Sequence, residues 1–166
     1  DLQPGQSALF DGLMPRAATW REIDWLRAES PLPLLLKGVT HPDDAREALA
    51  RGVNRFIVSN HGGRTLDTVP PTAALVPQVR AAVGPDVPVL VDGGIRRGTD
   101  VLKAVALGAD AVLLGRPYVH ALAASGALGV AHALRLLRDE LEIAMALSGC
   151  KTLADATPAL LLVRPR

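Results

Sequence analysis

Four short apolar runs, each closed by polar or glycine residues and followed by a helical pattern, restrict this chain to very few architectures. Leu34-Leu35-Leu36 precedes a helical pattern over residues 42–51. Phe56-Ile57-Val58 leads through a polar, glycine-rich stretch to a helix over 71–83. Val87-Pro88-Val89-Leu90-Val91 leads through a second glycine turn to a helix over 99–107, and Ala111-Val112-Leu113-Leu114 into Gly115-Arg116-Pro117 and more helix. Continuously apolar strands alternating with helices imply a parallel sheet with helices on its faces. Right-handed crossovers bring every strand-to-helix loop to one edge. On that edge Lys37 ends the first strand, Ser59-Asn60-His61 the second, Asp92-Gly93-Gly94 the third and Gly115-Arg116 the fourth. Ligands of parallel α/β folds bind at the carboxyl ends of strands. Packing alone does not put polar groups there four times.

Four such units make half of an eight-stranded barrel, and a full barrel needs ~250 residues. The expected class is therefore α/β, the C-terminal half of a (β/α)8 barrel within a longer protein, with an open four-stranded sheet as the alternative. After Tyr118 the helical pattern continues through Leu134, Leu137, Leu141 and Met145 to Gly149, and Thr152 is placed to cap a short terminal helix. Residues 19–166 are read as this half-barrel. Residues 1–18, with Pro4, Gly5, Gly12 and Pro15, show no clean periodicity and read as a functional loop or a tail. Thr19-Trp20-Arg21-Glu22 is a capping box for a short helix ending near Ser30-Pro31, with Ile23, Leu26 and Trp25 on one face.

Of the 166 residues, 49% are apolar, enough for a sizeable core. The net charge of +1 and an aromatic content of 3% argue against nucleic acid as a partner. Fifteen Arg against three Lys favour fixed carboxylates and phosphates. Cys150, the only cysteine, excludes an internal disulfide and is expected to be a buried thiol. No apolar run approaches ~18 residues, so no membrane-spanning helix is expected. Asp1-Leu2-Gln3-Pro4-Gly5 lacks the form of a secretory signal, and a cytoplasmic protein is expected.

In Ser59-Asn60-His61-Gly62-Gly63-Arg64 an imidazole and a guanidinium stand three residues apart across two glycines. A loop so free to turn can aim both into one site. Histidine suits general-base work near neutral pH, and arginine offers a fork for a carboxylate. The alternative is an ordinary polar turn. Asp92-Gly93-Gly94-Ile95-Arg96-Arg97-Gly98 precedes a helix, where unpaired backbone N–H groups form an anion site. Arg96 and Arg116, from adjacent strand ends, could reach one phosphate. Arg97 points elsewhere. The alternative, solvated arginines on a glycine turn, weakens once Gly115-Arg116 is counted. Lys37 is either a snorkelling surface residue or a fixed charge for a phosphate-bearing cofactor that becomes anionic during turnover.

The remaining candidates read as structural. His41 starts a helix and is exposed; His120 and His132 lie in helices as packing or surface residues. Asp43-Asp44 suits a helix N-terminus, and Asp139-Glu140 with Arg135 and Arg138 an ion-paired helix face. No His, Asp or Glu cluster has metal-ligand spacing, so no metal is expected.

Lys37-Gly38-Val39, Ser59 through Asp67, Asp92 through Val101, and Leu107-Gly108-Ala109 through Gly115-Arg116-Pro117 together resemble the FMN-dependent α-hydroxy acid oxidases and dehydrogenases, which include glycolate oxidase, lactate oxidase and mandelate dehydrogenase. The resemblance runs from about Trp20 to Gly149. It implies a barrel holding FMN at its C-terminal mouth. His61 would match the active-site base and Arg64 the arginine that binds the substrate carboxylate. Lys37 would match the lysine beside flavin N1, and Ser59 would lie near the ring. Asp92, followed by Gly93, would match the carboxylate on the ribityl chain, while Gly94, Arg96, Gly115 and Arg116 would hold the phosphate. Residues 1–18 would end the mobile loop over the active site.

The implied reaction oxidises a small (S)-2-hydroxy acid to the 2-oxo acid, with O2 or another acceptor reoxidising the flavin. The implied assembly is a homo-oligomer, a tetramer by resemblance. The family's further tyrosines, glutamine, threonine, second arginine and His-orienting aspartate have no counterpart here. This chain alone is therefore expected to bind FMN poorly and turn over nothing, the N-terminal half being its necessary partner. The Val163-Arg164-Pro165-Arg166 tail, unlike a peroxisomal Ser-Lys-Leu, and an Ala/Arg/Leu-rich composition point to a bacterial enzyme, and the sequence resembles the bacterial mandelate or 4-hydroxymandelate oxidases. Lactate or glycolate oxidase is the alternative within the family. An FMN-dependent isomerase barrel and a non-catalytic half-barrel module are the rivals outside it.

Overall fold

The computed structural model describes residues 3–162; Asp1, Leu2 and the Val163-Arg164-Pro165-Arg166 tail lie outside them. These residues form two compact units that divide between Leu32 and Pro33.

In the first unit, the expected patternless stretch is instead wound. Ala8–Leu13 makes a π-helical turn, with the Ser7 hydroxyl accepting from the Phe10 N–H, and Met14–Arg16 a 3-10 turn with Pro15 as its second residue. Helix α1 (Trp20–Glu29) begins at the expected capping box. The Glu22 carboxylate accepts from the Thr19 hydroxyl and N–H, which holds its pKa below the ordinary glutamate value. Trp25 is 62% exposed and no residue of α1 is buried, so the expected apolar face has no cover within this unit.

The second unit carries the strands β1 (Leu35–Val39), β2 (Arg55–Val58), β3 (Val89–Val91) and β4 (Ala111–Val112), all parallel and in sequence order. Helices α2 (Pro42–Ala50), α3 (Thr72–Val83), α4 (Gly98–Ala106) and α5 (Arg116–Leu147) follow them one by one. Strand order without reversal is that of a barrel arc, not of a doubly wound sheet, which reverses at a switch point. The core sits on the two central strands. Phe56, Val58, Val76, Val79 and Val89 are fully buried, with Ala45, Ala48 and Val53 packed in from α2 and its end. The edge strands depart from the expected continuous burial: Leu35 is 46% exposed, because β1 and β4 each have a strand on one side only. A second cluster joins Leu102 and Ala106 of α4 to Ala144 of α5, Cys150 and Ala156. The expected buried thiol is there. Thr152 starts a 3-10 turn, Leu153–Asp155, whose Asp155 carboxylate takes the Thr152 N–H and is lowered in pKa by it. Stability from the Glu22 and Asp155 caps is present above the ordinary carboxylate range and lost as pH falls through the lowered values.

Two further points correct the sequence reading. Lys37 lies inside β1, which continues to Val39 through a register irregularity at Gly38. Helix α5 spans 32 residues with a best mean hydropathy of 1.2, so one helix does have the length and composition to cross a membrane. It is divided, however: Ser125 (φ −152°, ψ 26°) and Gly126 (φ 57°, ψ −143°) leave the helical region. The part beyond carries the expected pair Arg135–Asp139, but Arg138 pairs with Glu142 one turn on, and Glu140, expected on that face, instead accepts the Gly98 N–H at the start of α4.

At the edge where the strands begin, Arg80 of α3 ties three elements. Its guanidinium donates to the carbonyls of Gly84, Val87 and Gly108 at 2.7–2.8 Å, and to Asp110 Oδ2, which also accepts the Val89 N–H. Arg80→Met leaves the Gly84, Val87 and Gly108 carbonyls without this donor, while Asp110, half-exposed, keeps the Val89 N–H, so the full-length protein is expected to lose about 1–3 kcal/mol in urea unfolding. Arg80→Lys is expected to recover little of it, since an ammonium cannot span that fork. A loss below about 1 kcal/mol, the worth of one ordinary hydrogen bond, would contradict this role.

Candidate active site

Strand-end loops converge on a cavity of about 530 Å³ lined by Lys37, His61, Arg64, Asp92, Gly93, Gly94, Arg96, Gly115 and Arg116, together with Ile95, Leu113 and Leu114 among others. The polar edge read from the sequence is thus one concave surface. It carries four cationic side chains, Lys37, Arg64, Arg96 and Arg116, against the single carboxylate of Asp92. Such a cavity selects anions. A smaller cavity of about 390 Å³ shares Gly62, Gly93, Gly94, Ile95 and Arg116 with it.

Local chemistry sets each group. Lys37 Nζ donates to Ser59 Oγ at 2.8 Å and pairs with Asp92 Oδ2 at 2.9 Å. Ser59 is fully buried behind Lys37 and is absent from the cavity wall. Its Oγ also accepts the His61 N–H at 3.1 Å, so one hydroxyl fixes both the ammonium and the start of the histidine loop. Asn60 Oδ1 accepts the Gly62 N–H, closing an Asx turn. His61 adopts φ 53°, the one non-glycine residue in the left-handed region among those described. Such strain persists only where the surroundings enforce it. Thr72 Oγ1 donates to the carbonyls of Asp92 (2.6 Å) and Gly93 (3.3 Å), fixing the glycine turn from the next helix.

The anion end differs from the sequence reading. At the start of α4 the N–H groups of Arg96 and Arg97 donate to Asp100 Oδ2, and that of Gly98 to Glu140 Oε2. Those donors are occupied by carboxylates. Helix α5 offers the open N-terminus instead: it has no side-chain cap, and Gly115 and Arg116 at its start line the cavity. Arg97 is exposed and off the cavity, as are His120 and His132. His41 is the exposed N-cap of α2, its Nδ1 accepting the Asp43 N–H.

Sequence reasoning missed Thr72, Asp100 and Glu140. Thr72 lies 20 residues from the carbonyl it holds and Glu140 lies 42 from Gly98, and no spacing rule links them. Asp100, four residues beyond Arg96, was readable as a helix-capping carboxylate.

A parallel barrel arc whose strand ends surround a cationic cavity belongs to the phosphate-binding (β/α)8 class. Within it, residues 2–163 match the FMN-dependent dehydrogenases, and the chain belongs to that family. It is 53% identical over 153 residues to an L-lactate oxidase of Alicycliphilus denitrificans, covering 92% of this chain and 42% of that protein. It is 50% identical to glycolate oxidase 1 of Zea mays over the same shares. Solved mandelate oxidase structures, one with benzoyl-formic acid, match at TM-score 0.80 and 50% identity, over 84% of this chain and 42% of theirs. The chain thus spans less than half the length of these relatives.

The residues present fit the family's FMN. Asp92 Oδ1 is buried without a hydrogen-bond partner, an unmet acceptor that a ribityl hydroxyl would satisfy. The arginines and the α5 N-terminus suit a phosphate.

Proposed function

We propose that the full-length protein oxidises a small (S)-2-hydroxy acid to the 2-oxo acid, with O2 as acceptor and H2O2 as co-product. The observation that carries this reading is that His61 and Arg64 line the same cavity as Lys37, Asp92, Arg96 and Arg116. FMN, when bound, supplies a two-electron acceptor. Asp92, Arg96, Gly94, Gly115 and Arg116 hold it, with Gly93 shaping the turn. Arg64 binds the substrate carboxylate through its planar fork and so fixes the carbinol carbon. A ring nitrogen of His61 takes the proton released as the carbinol becomes a carbonyl. Lys37, held by Ser59 and Asp92, keeps a fixed positive charge beside the reacting groups. Two electrons and two protons leave the acid and reduce O2 to H2O2.

Mandelate or 4-hydroxymandelate is the substrate class we favour, supported by the match to mandelate oxidase structures. The lactate and glycolate oxidase relatives support a second reading, a small aliphatic acid. A panel of glycolate, lactate, mandelate and 4-hydroxymandelate, read by H2O2 release and O2 uptake with the full-length protein, separates them. The aromatic acids are expected to give the highest kcat/KM. Turnover of none of the four, with flavin bound, would count against a hydroxy-acid oxidase and favour the isomerase rival, and a colourless protein would favour the binding module.

A further inference from the structure

We infer that Gly38 is the positioning residue for the His61 imidazole, a deepening that rests on the reading of His61 as the base. Gly38 sits at φ 95° in the register irregularity of β1, between Lys37, which pairs with Ile57, and Val39, which pairs with Val58. The missing side chain leaves a notch that the imidazole fills. A Cβ at Gly38 would lie 2.8 Å from His61 Cε1, 3.6 Å from Nε2 and 3.7 Å from Nδ1. The ring therefore meets the β1 backbone by its Cε1 edge. A methyl group at 2.8 Å cannot coexist with that edge, and the ring has to swing away, moving both nitrogens.

The backbone of the histidine is fixed independently. Its N–H is held by Ser59 Oγ, and its φ of 53° lies in a loop with left-handed Gly62 and Gly63 on its far side. Relief falls on the side-chain torsions, so the displacement is transmitted to the proton-accepting atom and not to Arg64. The bulge thus clears room for the ring beside Lys37, which lines the same cavity.

The test is a cycle in the full-length flavoprotein: wild type, Gly38→Ala, His61→Ala and the double variant. Gly38→Ala is expected to lower kcat by about 10²-fold with little change in KM, the scale of effect for a misplaced reacting group. In the double variant, turnover is expected to equal that of His61→Ala alone. Thermal unfolding gives a readout independent of activity. The Tm loss from Gly38→Ala is expected to be about 2–4 °C smaller once the imidazole is gone. This comparison also decides the matter if Gly38→Ala loses flavin or folds poorly, since the double variant then recovers. Gly84→Ala, at φ 84° with nothing within 4 Å of its Cβ, places a side chain at another positive-φ position without the contact and is expected to leave turnover per flavin unchanged. Equal Tm losses in both backgrounds, or wild-type turnover by Gly38→Ala, would overturn the inference. Full turnover by His61→Ala would overturn the reading of the base instead, whatever the Tm coupling shows.

Discussion

Replacing His61 with Asn in the full-length protein is expected to lower kcat by about 10²–10⁴-fold, the range for loss of a positioned general base. Flavin content should be unchanged, because the groups assigned to FMN, Lys37, Asp92, Arg96 and Arg116, are separate side chains of the same cavity. The asparagine keeps the Ser59-bound N–H of the loop and tolerates left-handed backbone, so the local turn survives while the imidazole is lost. Stopped-flow mixing with substrate under anaerobic conditions isolates the step. The slow phase should be flavin reduction, and reoxidation by O2 should proceed as in the wild type. A variant reduced at the wild-type rate would remove His61 from the chemistry.

Arg64→Met should act differently. Removing the fork leaves the substrate carboxylate among Lys37 and the phosphate-holding arginines without a fixed partner, and kcat/KM is expected to fall by about 10² or more. Much of the loss should lie in KM, with a further loss in kcat because the carbinol carbon is no longer fixed. Arg64→Lys is expected to recover only a small part, since an ammonium lacks the bidentate geometry. The 2-hydroxy amide of the same acid should be a poor substrate for the wild type and little affected by Arg64→Met. Equal losses for acid and amide would place Arg64 in the framework and not on the carboxylate.

The arc was legible because its signal is local. Each buried strand is a continuous apolar run, and Phe56-Ile57-Val58 and Val89-Leu90-Val91 pair parallel, as the alternation with helices implied. The strand-end residues were legible for the same reason, since parallel topology alone brings Lys37, His61, Asp92 and Arg116 to one edge. What escaped depends on distance in three dimensions. The break in α5 is the exception: it comes at the Ser125–Gly126 pair, a local kink signal that the surrounding alanine- and leucine-rich helical pattern masked, and Gly129 lets its backbone approach the Ala121 carbonyl. The occupied N-terminus of α4 depends on Glu140, brought there by helix packing so close that a Cβ on Gly98 would fall 2.0 Å from the Leu141 nitrogen. The turns within residues 8–16 escaped because exposed Phe10, Leu13 and Met14 give no one-sided pattern.

In the proposed enzyme one cavity presents His61 and Arg64 to a hydroxy acid and holds FMN by the Lys37–Asp92 pair and the arginines. The visible spectrum of the full-length protein, recorded anaerobically during titration with the four acids, tests it most directly. An oxidised flavin spectrum is expected that bleaches at one equivalent of at least one acid in the wild type and persists in His61→Asn. A protein without flavin absorbance, or a flavin bleached equally well in both, would contradict it.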